Sequence, residues 1–71
     1  MYDEENQRFI TKNGYIELSY EENKILKALI DNKGKVVIFE KAPYIFIKRL
    51  RKKLMGEVDI KTRRSVGYYI D

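Results

Sequence analysis

The segment Ile47-Lys48-Arg49-Leu50-Arg51-Lys52-Lys53-Leu54 decides the fold of this 71-residue chain. Its first, fourth and eighth residues are apolar, and five cations fill six consecutive positions between them. The apolar spacing is that of a helix, so the segment predicts an amphipathic helix with its apolar stripe in a core. Pro43 suits the first turn of this helix, and Gly56 suits the position just past its end.

The face opposite the apolar stripe is predicted to be basic. Arginine there can pair bidentately with guanine in the major groove of DNA, and an aliphatic side chain can touch thymine methyl groups. Ile45 is then exposed for such contacts, or it packs against the link Ile38–Ala42; the pattern leaves both open. At 100° per residue the outer face presents Ile45, Lys48, Arg49 and Lys52, with Tyr44 and Arg51 along one flank.

A closing β-hairpin is predicted downstream of the basic helix. Asp59–Thr62 and Gly67–Ile70 have the alternation of strands, and Arg63–Val66 supplies the turn. A hairpin tip that carries arginine can enter a minor groove, where the negative potential is strongest over narrow A·T tracts. Three cations are expected to cluster at this tip, Lys61, Arg63 and Arg64.

Upstream, the sequence predicts a first hairpin and a first helix. Arg8–Thr11 and Tyr15–Leu18 form two short strands around an Asn-Gly turn, because both turn residues tolerate positive φ. Ser19 and Glu22 have the spacing of a capping box, in which each side chain accepts from the other residue's backbone N–H. We therefore predict that a helix runs from Tyr20 to Asn32.

The remaining segments are less regular, and nothing divides the chain. Val36–Phe39 is apolar and β-branched, which is typical of either a short strand or a buried link. Residues 1–7 are expected to be disordered or loosely ordered. Residues 1–71 are thus predicted to form one small α+β domain.

Composition excludes several classes of function. The chain has no cysteine and no histidine, which removes disulfides, Cys/His metal sites and thiol or imidazole catalysis. The glycines are spaced as turn residues and form no phosphate-binding loop. We expect no enzyme activity, no cofactor and no metal.

Charge is distributed unevenly along the chain. Residues 1–40 hold six basic and eight acidic side chains, a net charge of −2, whereas residues 41–71 hold nine basic and three acidic, a net charge of +6. This asymmetry indicates a polyanionic partner on one face. The longest apolar runs fall far short of the ~20 residues that span a bilayer, and the acidic start is unlike a signal peptide. A cytoplasmic protein without membrane contact is expected.

Three motifs together resemble a known family. Leu18-Ser19-Tyr20-Glu21-Glu22 is similar to a Leu-Thr-x-x-Glu helix opening, and Ile47 to Leu54 is similar to the motif Ile-x-x-Leu-Arg-Lys-Lys-Leu. Ile60-Lys61-Thr62-Arg63-Arg64-Ser65-Val66-Gly67-Tyr68 is similar to Ile-x-Thr-Val-Arg-Gly-x-Gly-Tyr. These are motifs of the winged-helix DNA-binding domain of OmpR/PhoB-type response regulators, and the resemblance spans Phe9 to Ile70.

The resemblance implies a role for individual residues. Lys48 and Arg49 would meet bases or phosphates in the major groove, with Ile45 against bases. Arg51 would lie near the DNA backbone, Thr62 would touch phosphate, and Arg64 would enter the minor groove. The complete candidate DNA-binding set is Tyr44, Ile45, Lys48, Arg49, Arg51, Lys52, Thr62, Arg63 and Arg64.

The chain departs from the family in its middle. Only five residues separate Val37 from Pro43, where the family has a second helix and a loop. The link side chains and Phe46 either fill the vacated space or leave an apolar patch that invites a partner. Asn23 also stands at an apolar core position, and Ser65 at the position of a wing glycine.

Two functions from different classes follow. The first is sequence-specific binding of double-stranded DNA by a transcriptional regulator. The alternative is a winged-helix interaction module that has lost DNA binding and modulates a larger regulator. An RNA-binding role, with tyrosines that stack on bases, is a third interpretation. Beyond DNA, the open partners are a second copy of the chain, RNA polymerase and a larger regulator.

Overall fold

Two helices lie, in chain order, between a three-stranded sheet and a β-hairpin in the computed structural model, which describes residues 1–41 and 43–71. Both sheets are antiparallel, and the first has the strand order β1-β2-β3. This is the predicted α+β class. The elements are β1 (Tyr2–Asp3), β2 (Arg8–Thr11), β3 (Gly14–Ile16), α1 (Tyr20–Asp31), α2 (Tyr44–Leu54), β4 (Lys61–Arg63) and β5 (Gly67–Tyr69).

The N-terminal residues differ from the loosely ordered segment that the sequence predicts for residues 1–7. β1 pairs with β2. The ammonium group of Met1 donates to the carbonyl of Ile10 at 2.8 Å, and the Ile10 N–H donates to the carbonyl of Met1 at 2.7 Å. The hydroxyl of Tyr2 also donates to the side-chain oxygen of Asn23 on α1. This bond explains a polar residue at a buried helix position, because Asn23 satisfies the tyrosine hydroxyl.

Helix α1 begins where the capping box predicts. The Glu22 N–H donates to Ser19 Oγ at 3.3 Å, and the Ser19 N–H donates to Glu22 Oε1 at 2.8 Å. The helix ends at Asp31, with Asn32 as its C-cap, one residue before the predicted end.

The link after α1 joins the C-terminal hairpin. The Gly34 N–H donates to the carbonyl of Ile70 at 2.8 Å, and Val37 and Tyr68 exchange two backbone bonds of 2.7 and 3.1 Å. Val36–Phe39 is therefore a link with a single β-bridge and not a strand. Ala42, the last residue of the link, lies outside the described residues.

The core is formed by one face of each helix, by Phe9 of β2, and by Ile60 and Ile70, which lie just outside the two strands of the hairpin. The predicted stripe of α2 is confirmed, since its three residues are at most 1% exposed. Phe39 and Phe46 pack against this core, which agrees with the expectation that link side chains and Phe46 fill the space of the missing helix. Ile38 does not, since it is 73% exposed. Each fully buried aliphatic side chain contributes about 1.5–3 kcal/mol to stability. The core residues are Phe9, Ile25, Leu26, Leu29, Ile47, Leu50, Leu54, Ile60 and Ile70.

Candidate nucleic-acid interface

The outer face of α2 is basic and unpaired. Lys48, Arg49 and Lys52 are exposed, and none of them forms a salt bridge within the described residues. Ile45 is 52% exposed on this face and is absent from the side chains that pack on the core. Tyr44, at the first position of the helix, is 64% exposed. Of the two placements left open for Ile45, the structure shows the exposed one.

The other two cations of α2 are held by the protein itself. On one flank, Lys53 Nζ donates to Glu22 Oε1 at 2.6 Å and to the carbonyl of Glu17 at 3.4 Å. This ion pair joins the C-terminal end of α2 to the capping box of α1. The sequence pattern does not reveal this pair, because its partners are 31 residues apart.

Glu22 is the buried charge of this junction, with 1% of its surface exposed. Burial raises the pKa of its carboxyl group, but the hydrogen bond from the Lys53 ammonium and the two bonds with Ser19 outweigh burial, so the pKa lies below its ordinary value. Its second oxygen, Oε2, has no hydrogen-bond partner within the described structure. The charge of Glu22 is thus stabilised through one oxygen.

The lowered pKa of Glu22 predicts acid sensitivity. A carboxyl group with a depressed folded-state pKa stabilises the fold above its unfolded pKa, about 4.3, and loses that contribution as pH falls through the folded pKa. We expect the free energy of unfolding, measured with urea, to fall below about pH 5 in the wild type. In Glu22→Gln this part of the acid loss should be absent, and stability at pH 7 should drop by about 1–3 kcal/mol.

Glu21→Gln is the matched control, because Glu21 is exposed, neighbours Glu22 and forms no salt bridge among the described residues. It should keep the wild-type profile. Identical acid profiles for the wild type and Glu22→Gln would contradict the role of Glu22.

Arg51 lies on the opposite flank of α2 and contacts the C-terminal hairpin. Its Nε and Nη2 donate to the carbonyl of Ile60 at 3.0 and 2.7 Å, and Nη2 donates to Thr62 Oγ1 at 2.8 Å. Two candidate DNA contacts of the sequence, Arg51 and Thr62, are therefore bonded to each other. The spacing of these residues in the sequence gave no sign of this contact.

The hairpin tip carries two exposed arginines, Arg63 and Arg64, neither of which forms a salt bridge in the described part of the chain. The turn is closed by a 2.9 Å bond from the Val66 N–H to the Arg63 carbonyl. Ser65 has φ +62°, the left-handed region that favours glycine.

Lys61 is not at this tip, contrary to the prediction. It pairs with Tyr69 at the opposite end of the hairpin, and its ammonium is bonded to the carboxylate of Asp71. That hydrogen bond and the charge of Asp71 raise the pKa of Lys61. The prediction ended this strand at Thr62, whereas β4 runs from Lys61 to Arg63. Thr62 and Arg63 therefore separate Lys61 from the turn.

The start of α2 and the hairpin border one groove of about 390 Å³, lined on one side by Phe39 and Pro43 and on the other by Thr62, Arg63 and Val66. Pro43, the N-cap of α2, therefore lies near the hairpin, whereas the exposed cations of α2 lie outside this groove. We call the following residues the basic face: Tyr44, Ile45, Lys48, Arg49, Lys52, Arg63 and Arg64.

Other features of the molecule lie away from the basic face or point to no site. A cavity of about 670 Å³ lies among the N-terminal sheet, the end of α1 and residues 57–59, 61 and 70–71, and none of the candidate DNA-binding residues lines it. No cluster of metal-ligating side chains occurs in residues 1–41 and 43–71. Neither helix of the described chain has the length and apolar character needed to cross a membrane.

Comparison with solved structures identifies the architecture. The crystal structure of the DNA-binding domain of Bacillus subtilis CssR is similar to this chain, with a TM-score of 0.81 and 22% sequence identity. The similarity covers 100% of this chain and 98% of that one. The chain has a winged-helix fold. No protein-family model matches the sequence, and no curated protein does.

In winged-helix terms, α2 is the recognition helix and residues 61–69 are the wing. The similarity confirms the predicted fold, which this chain shares with a DNA-binding domain. Within the described residues no helix stands where the family has its second helix: the link passes from α1 to the recognition helix with only the bridge at Val37. Phe39 and Phe46 cover the adjacent core instead.

Proposed function

We propose that this chain binds double-stranded DNA through the basic face and acts as a non-enzymatic transcriptional regulator. One observation carries the proposal: the cations of the basic face have no salt-bridge partner within the described residues, whereas Arg51, Lys53 and Lys61 on the same elements are all bonded to protein. Exposed cations without a salt-bridge partner on the recognition helix and on the wing are the electrostatic footprint of a polyanion site.

The recognition helix supplies the major-groove contacts in this proposal. Arg49 and Lys48 reach base edges, since arginine and lysine pair with the O6 and N7 acceptors of guanine. Ile45 and Tyr44 contact the bases through apolar surface, which explains two large exposed side chains at the start of the helix. Lys52, one turn further along, neutralises phosphate.

The wing supplies the minor-groove contact. Arg64 at the tip enters the groove, and Arg63 lies beside it. The hydroxyl of Thr62 accepts from Arg51 and retains its own proton, which it donates to a phosphate oxygen. The recognition helix then lies in the major groove and the wing in the adjacent minor groove, as in other DNA-binding domains that combine a helix with a basic arm.

Salt dependence tests the proposal. With five cations on the basic face, each of which displaces about one counterion from the DNA, log K should fall against log salt with a slope of about −4 to −5. Fluorescence anisotropy with random-sequence duplex DNA, from about 50 to about 300 mM salt, measures this slope. Enrichment of one sequence from a random duplex library would add sequence specificity. Absence of binding even at about 50 mM salt would refute the proposal.

One observation favours the second function, a protein-interaction module. Ile38 is 73% exposed and Val36 is 37% exposed on the link that replaces the second helix, beside Val66 of the wing at 48%. Exposed apolar residues that cluster mark partner surfaces. If the chain fails to bind DNA and sediments as a species larger than a monomer, with Ile38→Ser restoring the monomer, this function replaces the first.

A further inference from the structure

Arg51 is unusual for a residue that contacts DNA, because most of its guanidinium N–H groups already donate hydrogen bonds within the protein. The Nε–H and both Nη2–H groups point at the protein, two at the carbonyl of Ile60 and one at Thr62 Oγ1. Ile60 is a core residue, 2% exposed, whose carbonyl belongs to the segment that leads into β4. The guanidinium therefore connects the recognition helix to the first strand of the wing.

The two strands of the wing are attached to the body of the protein in different ways. β5 is held by backbone bonds from Tyr68 to Val37, next to the bond between Ile70 and Gly34. β4 has no such backbone partner outside the hairpin among the described residues, and Arg51 supplies its hydrogen bonds to the recognition helix. Arg51 is thus the side chain that hydrogen-bonds the recognition helix directly to the start of the wing, whereas β5 is attached through the link.

We propose that Arg51 is a positioning residue that fixes the wing relative to the recognition helix, and not a phosphate contact. This inference rests on the proposed function for its effect on DNA binding. A planar guanidinium can bond one carbonyl through two nitrogens and a hydroxyl through a third hydrogen, whereas a lysine ammonium on a flexible stem cannot reproduce this fork. A wing fixed in advance reaches the minor groove without a further loss of conformational freedom on binding.

Arg51→Lys separates the two roles because it keeps the charge. A phosphate contact survives the change, since lysine binds phosphate as a point charge. A positioning residue does not. We expect affinity for duplex DNA to fall about tenfold, with the salt slope unchanged, because no charge is lost. Without DNA, ¹⁵N relaxation should show increased mobility of the wing amides from Lys61 to Arg64.

Lys52→Gln is the matched control. It removes a phosphate contact from the same helix, so the salt slope should become less steep by about one while wing mobility stays at the wild-type level. Thr62→Val provides a second test of the positioning role, because it leaves Arg51 and the net charge of the protein unchanged. It removes the third hydrogen bond of Arg51 together with the proposed bond from the Thr62 hydroxyl to phosphate, so its deciding readout is the free protein, in which we expect a smaller rise in wing mobility than in Arg51→Lys.

The outcomes distinguish this inference from the proposed function. Wing mobility and affinity that both stay at the wild-type level in Arg51→Lys would overturn the positioning role. Should the wild type fail to bind DNA, the proposed function falls, and the relaxation measurement on the free protein still decides whether Arg51 orders the wing. If Arg51→Lys does not fold, unchanged wing mobility in Thr62→Val overturns the inference and increased mobility supports it.

Discussion

Reversing the charge of one arginine on the recognition helix and one on the wing, Arg49→Glu with Arg64→Glu, should abolish DNA binding without unfolding the protein. Each arginine that contacts a base or enters a groove is worth about 1–3 kcal/mol, and each glutamate adds repulsion from phosphate. We therefore expect affinity to fall at least about 100-fold at low salt. Fluorescence anisotropy with duplex DNA measures the loss, and circular dichroism reports the fold.

The matched control is Lys12→Glu with Lys33→Glu. It makes the same change in net charge, from +4 to 0, at two exposed lysines outside the basic face. Lys12 lies in the turn between β2 and β3, and Lys33 follows α1. If both double variants lose affinity to the same degree, net charge and not the basic face would be responsible for binding.

The stability of the fold should be sensitive to substitution of Gly67. A Cβ atom there would lie 2.2 Å from the carbonyl oxygen and 3.0 Å from the carbonyl carbon of Val37. Both atoms belong to backbone, and the same carbonyl accepts the bond from Tyr68, so relief of the clash separates link and wing. Overpacking costs about 1–3 kcal/mol, and each lost hydrogen bond about 1 kcal/mol more.

Gly67→Ala is therefore expected to lose about 3 kcal/mol, which is most of the stability of a domain this small. Thermal unfolding by circular dichroism should show a Tm lowered by about 10–20 °C. Ser65→Gly, two residues earlier, is a control of opposite sign. It relieves a positive φ and should raise stability by up to about 1 kcal/mol. A Tm unchanged in Gly67→Ala would contradict the close approach of the link.

The elements that the sequence predicts well are those set by local interactions. The capping box at Ser19 and the apolar stripe of α2 depend on residues three to four positions apart, and both lie where expected. Helical periodicity also identifies the outer face of α2, so the exposure of Lys48, Arg49 and Lys52 could be predicted. The comparison with a solved winged-helix domain confirms the architecture that these elements imply.

The features that the sequence did not predict depend on contacts between distant residues. The bond between Arg51 and Ile60, the pair of Lys53 with Glu22 and the bridge of Val37 to Tyr68 cross 9, 31 and 31 residues. No periodicity encodes such partners, because each depends on how whole elements pack. Five cations in six positions therefore look alike in sequence, and only the structure separates those that bind the protein from those that do not.

That separation of the cations bears on how the binding preference of the protein can evolve. Lys48, Lys52 and Arg64 contribute no hydrogen bond or salt bridge to the described fold, and Arg49 adds a cation–π contact 5.8 Å from the ring centroid of Phe46, so their replacement costs little stability. Under the proposed function, selection can exchange these side chains for others that read a different sequence, while the positions proposed to hold helix and wing in place, Arg51 and Gly67, are kept. A lineage of such chains could diverge in target sites and conserve its scaffold.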